Sequence, residues 1–158
     1  IVAMYEAKAD LAIFNGIDQL PHFNPDLDNE HLPDSVASFR KQIEEADGIL
    51  ICTPEYVYSL PGSLKNAVEW TVSTTLFTDK PSALITAASS GQKAHEALNM
   101  LMGTIGAKLS PATSLLITAP KIKVSAEGRI TDEITLRNIR QVMDAFIDSL
   151  SEKRHHPE

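Results

Sequence analysis

The sequence lacks the residues that build disulfide scaffolds, zinc sites and membrane spans. Its single cysteine, Cys52, cannot form an internal disulfide, and no cluster of cysteine and histidine has the spacing of zinc ligands. No apolar run approaches the roughly 18 residues of a membrane span, and the N-terminus lacks the flanks of a secretory signal. Positive charge is scarce, because the sequence has 14 lysines and arginines but 21 aspartates and glutamates. Its net charge is −7. We expect a cytoplasmic protein that binds neither nucleic acid nor a membrane.

Several catalytic motifs are also missing. There is no G-x-S-x-G elbow, no H-E-x-x-H and no Walker A loop, and Gly103 and Gly106 lie in a helical pattern that is wrong for a dinucleotide fingerprint. No histidine stands at a recognisable spacing from a carboxylate and a nucleophile, and Cys52 follows the apolar run 49–51, which favours a buried structural thiol over a reactive one. The sequence therefore does not indicate a hydrolase, a zinc protease or a P-loop protein.

What is present predicts one α/β domain over residues 1–158. A chain of this size buries about 70% of its unfolded surface. Short continuous apolar runs alternate with stretches of helical period, which is typical of βαβ units around a parallel sheet. The predicted strands are Asp10–Phe14, Ile49–Thr53, Ser82–Ala88 and Ala112–Thr118.

The helical pattern predicts four helices between and after these strands. They are marked by the apolar positions of 36–46, of 64–71, of 94–105 and of 139–150, and Ile1–Ala7 resembles the end of a further helix. Asp34 and Ser35 are cap candidates for the first of the four, and Thr131 for the last, with a polar tail from Ser151. The remaining segments are a long proline-containing loop over 20–33 and a small hairpin over 121–130.

The most informative segment follows the strand that ends at Thr53. Ligands of open parallel sheets bind beyond the carboxyl ends of the strands, and this segment begins at such an end. Pro54 and the pair Pro61-Gly62 bound a stiff loop that carries Tyr56 and Tyr58, which offer stacking surface to a planar aromatic ligand. The alternative is an ordinary surface loop with a proline at each end.

The segment reads P-E-Y-V-Y-S-L-P-G-S-L-K-N-A-V-E-W, and it resembles the P-E-Y-N-x-S-x-P-G-x-L-K-N-A-x-D/E-W signature of the NADPH-dependent FMN reductase family. The resemblance extends back through the L-P-H-F-N-P-D-L string at 20–27 and the A-D-G-I-L string at 46–50. It extends forward to Lys80-Pro81 and the strand after them. It therefore covers most of the chain.

The resemblance implies a flavodoxin-like fold that binds FMN in two loops. The isoalloxazine maps onto Thr53, Pro54, Glu55, Tyr56 and Val57, with Ser59 also matching, and the loop along the other edge of the flavin maps onto Ser89, Ser90 and Gly91. Val57 departs from the asparagine that the family usually carries, which we expect to alter substrate choice more than flavin binding. The family's second glycine after Gly91 is missing, and Ser89 or Ser90 can alternatively be a simple helix cap.

The family's activity implies an NAD(P)H oxidoreductase. Hydride from NADPH or NADH passes to FMN, and electrons then pass to a quinone-like or other small acceptor in a ping-pong cycle. A homodimer or homotetramer is implied, with an exposed Trp70 at the subunit interface and Lys65 either meeting a carboxylate of another subunit or solvated. The alternatives are a flavodoxin-like electron carrier with protein partners and a flavin-free interaction module. We expect the sheet order 2-1-3-4-5, with the first strand and its phosphate loop absent from the sequence in hand.

Overall fold

The computed structural model describes residues 1–155, so the last three residues of the predicted tail, including His156, lie outside it. The chain forms five α-helices, three strands and four short 3-10 helices within these residues. In chain order the helices and strands are α1 (Val2–Tyr5), α2 (Asp34–Glu45), β1 (Ile49–Thr53), α3 (Gly62–Glu69), β2 (Ser82–Ala88), α4 (Gln92–Thr104), β3 (Ser114–Thr118) and α5 (Glu133–His155).

The three strands form one parallel sheet in the order β1-β2-β3. Cys52 pairs in register with Ile85, and Ile85 pairs with Leu115, so all three carboxyl ends lie at one edge of the sheet. The α/β architecture with a parallel sheet is confirmed.

Helices cover both faces of the sheet because the side chains of β2 alternate between two apolar clusters. Ala83 and Ile85 pack with Tyr5 and with the stripe of α5 that includes Met143 and Phe146. Leu84 points the other way and packs with residues of α2, α3 and α4. Such burial of both faces is what a continuous apolar strand predicts.

The N-terminal part differs from the prediction, since Asp10–Phe14 is not a strand. No strand among residues 1–155 pairs with it, and a strand needs the ladder of a neighbour to satisfy its backbone. Ile13 is 66% exposed in consequence. Within the same residues, no helix has both the length and the apolar character needed to cross a membrane.

Several element boundaries are corrected by local hydrogen bonding. The last strand begins at Ser114 rather than Ala112, because Pro111–Thr113 forms a 3-10 turn closed by Ser110 and Thr113. Helix α5 is capped by Asp132, whose carboxylate accepts from the Thr135 amide at 2.8 Å, and not by Thr131. It continues through Ser151 to His155, where a fraying tail was predicted.

Two further boundary predictions have opposite outcomes. The cap prediction for α2 is wrong: neither Asp34 nor Ser35 caps the helix, because the residue before its first turn is Pro33 and no side chain caps it. The hairpin predicted over 121–130 is confirmed by an antiparallel bridge between Val124 and Ile130.

Lys80 closes the carboxyl end of α2 from the loop before β2. Its buried ammonium donates to the carbonyls of Ile43 (2.6 Å), Glu44 (3.3 Å) and Ala46 (2.7 Å). These carbonyls have no partner within the helix, and a cation suits the negative end of the helix dipole.

We expect Lys80→Met to lower the free energy of unfolding by about 2–3 kcal/mol, because several charge-assisted bonds are lost at once. The matched control is Lys41→Met, whose side chain is largely exposed, with an expected change below about 0.5 kcal/mol. Urea denaturation checks both variants. Equal midpoints for Lys80→Met and the parent would contradict the capping role.

Candidate functional site

The loop after β1 folds back in a tight two-residue turn. Tyr56 and Ser59 exchange both backbone hydrogen bonds at 3.0 Å, while Val57 and Tyr58, between them, have φ of 52° and 57°. Two successive left-handed residues define a type I′ turn. Thr53, at the end of the strand, is buried and its hydroxyl donates to the Pro54 carbonyl at 3.2 Å.

The turn presents its side chains to solvent. Tyr56 is 62% exposed, Val57 95% and Tyr58 78%, whereas Leu60, directly after the turn, is buried in the core. Large apolar side chains exposed together mark a binding surface more often than scattered ones do. The predicted stacking surface is therefore accessible to a ligand.

The loop after β2 is built from small residues. Ser89 and Ser90 are exposed, and Gly91 precedes α4 with φ of 84°. The positive φ favours glycine, and a Cβ on Gly91 would also lie 2.7 Å from Leu116 Cδ1, so that side chain would have to shift. The amide of Ala119, after β3, donates to the Ala88 carbonyl at 3.0 Å, which brings a third strand-end segment to the same edge.

Glu55 joins the first loop to the second. One carboxylate oxygen accepts from the Gly91 amide at 3.2 Å, and the other accepts from the Ala94 amide at 3.0 Å. The cap of α4 is therefore Glu55, and the alternative that assigned it to Ser89 or Ser90 is wrong. Sequence reasoning missed this link because the two partners are 36 and 39 residues from Glu55.

Trp70 is fully buried, so its predicted place on an exposed interface is wrong. Its indole N–H donates to the Pro21 carbonyl at 2.7 Å, and its ring meets Phe23 edge-on at 5.1 Å between centroids. Asn66, one turn earlier on α3, donates to the same carbonyl at 2.9 Å and accepts from the Phe23 amide at 2.7 Å. The string at 20–27 thus packs on the helix that follows the candidate loop.

An ion pair fixes the far end of the same long loop. Arg40 of α2 donates to Asp28 at 2.8 Å and to the Trp70 carbonyl at 2.6 Å, and Ser73 donates to Asp28 at 2.6 Å. Burial alone would raise the pKa of Asp28, but the hydrogen bonds from Ser73 and Arg40 outweigh it and lower that pKa. These contacts position α3 behind the turn.

Two smaller predictions are resolved at β1 and α3. Cys52 is exposed rather than buried. It lies on the same face of the sheet as Leu50 and its in-register partner Ile85, and desolvation by neighbouring atoms raises the pKa of its thiol. Lys65 pairs with Glu69 on its own helix. Neither a reactive thiol nor a link between subunits follows from these residues.

A partly buried polar network lies between α4 and the sheet. His95 Nδ1 is 2.9 Å from Thr86 Oγ1 and Nε2 is 3.2 Å from Ser114 Oγ, which donates to Asn99 Oδ1 at 3.1 Å. Because the Ser114 hydroxyl donates to Asn99, it accepts from His95, and this orientation assigns the imidazole proton to Nε2. Burial lowers the pKa of His95 below 6.5, more than Glu96 raises it.

We expect this network to make the fold less stable in acid. Below about pH 6.5 the unfolded chain takes up a proton at residue 95 that the folded chain resists, so stability is full above that pH and declines as pH falls toward the lowered pKa. Urea denaturation of His95→Gln between pH 5 and 8 should show a flatter profile than the parent. His22→Gln, at an exposed position, is the control, and identical slopes in all three proteins would contradict the role of His95.

Val57 occupies a backbone conformation that β-branched residues rarely adopt. We expect Val57→Asn to raise the free energy of unfolding by about 1 kcal/mol, because asparagine tolerates the left-handed region. Thermal denaturation should then rise by about 2–4 °C. The control is Val72→Asn, at an exposed position without positive φ, with little expected change. A lower melting temperature for Val57→Asn would contradict backbone strain at this turn.

The exposure of Val57 excludes packing against the sheet, so the sequence-based expectation about acceptors can be tested in the same variant. Restoring asparagine should favour polar over apolar acceptors in the ratio of kcat/KM values. This effect stays a prediction.

Comparison with known proteins finds relatives over most of the chain. Residues 2–119 match the family model described as NADPH-dependent FMN reductase. The chain is 31% identical to the NADH:(hydroxy)cinnamate reductase subunit CrdA of Vibrio ruber, over 90% of this chain and 73% of that protein. It is 34% identical to an NADPH:quinone oxidoreductase of Arabidopsis thaliana, over 80% and 68% of the two chains.

A solved structure supports the same assignment. The flavoenzyme NAD(P)H:(acceptor) oxidoreductase FerB of Paracoccus denitrificans superposes with a TM-score of 0.79 at 28% identity, covering 96% of this chain and 85% of that one. The fold and the sequence therefore point to the same group of proteins.

Proposed function

The chain belongs to the NADPH-dependent FMN reductase family, and we propose that its loops at 53–59 and 89–91 hold FMN for the reduction of a small acceptor. Membership of this family shows that the chain is an oxidoreductase that uses FMN and NAD(P)H. The choice of these loops, the ping-pong order and a quinone-like acceptor are the proposal. The observation that carries it is the junction of the two strand-end loops through Glu55, beside two exposed tyrosines.

The residues present fit a flavin. Tyr56 and Tyr58 offer exposed ring faces, the serine hydroxyls at 59, 89 and 90 are exposed, and the small residues of the second loop permit close approach of backbone to a planar ring. Glu55 does not offer a free carboxylate, because it is engaged by backbone amides. The proposed contacts are therefore those of hydroxyls, aromatic faces and backbone.

The chemistry supplied by FMN, when bound, is acceptance of a hydride from NADPH or NADH and transfer of electrons to a second substrate. The chain's part is to bind the ring, orient it and leave one side open. No side chain of the two loops has to act as a general acid or base. The nicotinamide and the acceptor would use the same open side in turn, which is a ping-pong cycle.

The test is a spectrum followed by kinetics. Purified protein mixed with FMN should show shifted flavin absorbance bands, lose them on anaerobic addition of NADPH, and recover them on addition of a small quinone. Steady oxidation of NADPH with parallel double-reciprocal lines supports the ping-pong order. Absence of turnover with a small quinone would instead favour the electron-carrier alternative, and a colourless protein after reconstitution would favour a flavin-free module.

The strand order 2-1-3-4-5 and self-association belong to the same proposal. In that order β1, β2 and β3 are the third to fifth strands, and the parallel pairing together with the unpaired outer edge of β1 within residues 1–155 supports it. A homodimer or homotetramer is supported by the exposed apolar turn rather than by Trp70. Sedimentation as a monomer at micromolar concentration would reject self-association.

A further inference from the structure

Glu55 stands in one of the proposed FMN loops, but its two oxygens bind the backbone of the other. The Gly91 amide is 3.2 Å from one oxygen and the Ala94 amide is 3.0 Å from the second. A single side chain therefore spans the distance between the loops. Because both oxygens are engaged, the carboxylate can neither rotate nor shift without losing a hydrogen bond.

The two hydrogen bonds to the Glu55 carboxylate are strong because they form at the amino end of a helix. The first amides of an α-helix have no partner within the helix, and α4 begins after Gly91, which has no side chain to cap it. A carboxylate at this end is favoured by charge-assisted hydrogen bonding and by the helix dipole. The second loop is consequently held at its carboxyl end by Glu55, while its serines at 89 and 90 remain exposed.

The first loop is constrained at the residue that follows. Tyr56 directly succeeds Glu55 and is locked to Ser59 by two backbone bonds. Any movement of Glu55 is therefore transmitted to the type I′ turn and to the aromatic faces it presents. The Glu55 carboxylate therefore links the turn that presents Tyr56 and Tyr58 to the loop that contains Ser89 and Ser90.

We propose that Glu55 is a positioning residue for FMN, which sets the separation and orientation of the two loops and does not contact the flavin through its carboxylate. This inference rests on the proposed function, since it requires that both loops bind the ring. It predicts that the carboxylate influences flavin affinity and ring environment through the Gly91 and Ala94 amides.

The first arm compares Glu55→Gln with the parent in FMN titrations followed by fluorescence quenching. Glutamine keeps the length of the side chain but has one acceptor oxygen, and its amide group then faces a backbone N–H. We expect the Kd for FMN to rise about tenfold, and to rise further in Glu55→Ala. The matched control is Glu96→Gln on α4, whose exposed carboxylate pairs with Lys93, with an expected change below twofold.

The second arm separates positioning from general stability. At saturating FMN, visible circular dichroism of the flavin bands should change in Glu55→Gln and not in Glu96→Gln, because the ring then sits in an altered environment. Hydrogen exchange without FMN should show lost protection at the Gly91 and Ala94 amides, with β2 unaffected. This arm reports on the link even if no flavin is added.

The outcomes are distinct. FMN affinity within twofold of the parent in both Glu55 variants, with exchange showing that the two amides are released, would overturn the positioning role and leave the proposed function standing. Unchanged flavin dichroism beside weakened binding would also overturn it, because only affinity would then depend on the carboxylate. A parent protein that binds no FMN would reject the proposed function, and the positioning role with it.

Discussion

Replacing Trp70 with alanine is expected to lower the free energy of unfolding by about 3–5 kcal/mol, the largest loss of any single substitution considered for this chain. The side chain is fully buried, and its removal leaves a cavity beneath the long loop at 20–33. It also removes the indole donor to the Pro21 carbonyl and the edge-on contact with Phe23. Urea denaturation without FMN, followed by far-ultraviolet circular dichroism, measures the loss.

Trp70→Phe divides this effect into packing and hydrogen bonding. Phenylalanine retains an aromatic ring against Phe23 but has no N–H, and the Pro21 carbonyl keeps its bond from Asn66. We expect a loss of about 1–2 kcal/mol, in line with one buried bond and a smaller ring. Val72→Ala, at an exposed position two residues away, is the control. A loss below 1 kcal/mol in Trp70→Ala would contradict its place in the core.

Inserting one glycine between Glu55 and Tyr56 is expected to weaken FMN binding about 100-fold. The insertion separates the residue that holds the second loop from the turn that presents Tyr56, so the two loops no longer share a fixed geometry. Binding then has to reorder the loops, and this loss of preorganisation lowers the affinity. The measurement is the Kd for FMN from fluorescence quenching.

The control insertion is one glycine between Glu127 and Gly128. This position is the exposed tip of the hairpin bridged by Val124 and Ile130, where an added residue changes only a turn. We expect FMN affinity to stay within twofold. If the insertion after Glu55 also leaves the affinity unchanged, Pro54–Ser59 is not the ring site.

Much of the fold could be predicted because its signals are local. Ile49–Thr53 and Ser82–Ala88 are strands with the predicted bounds. Short continuous apolar runs between turn residues are typical of buried strands in a small α/β protein. Helix α5 follows equally from its apolar stripe. Asp10–Phe14 has a similar local pattern, but a strand depends on a neighbour, and no neighbour pairs with it among residues 1–155.

The site was predictable in outline and not in detail. The segment after β1 could be chosen because parallel strands end at one edge, and the resemblance named its residues. The link from Glu55 to Gly91 and Ala94 depends on distant residues meeting, which no local pattern reports. The burial of Trp70 was missed for the same reason, since its hydrogen-bond acceptor, Pro21, is 49 residues away. For Val57, the departure from asparagine was visible in the sequence. That valine is strained at this position became clear only from its positive φ.

The exposed thiol of Cys52 is a chemical handle beside the candidate site. It is the single cysteine of the sequence and lies one residue before Thr53, where β1 ends. Because desolvation raises the pKa of the thiol, we expect alkylation of Cys52 to be slow at neutral pH and faster in mildly alkaline buffer. A fluorophore attached there would lie at the end of the strand whose loop is proposed to receive the flavin.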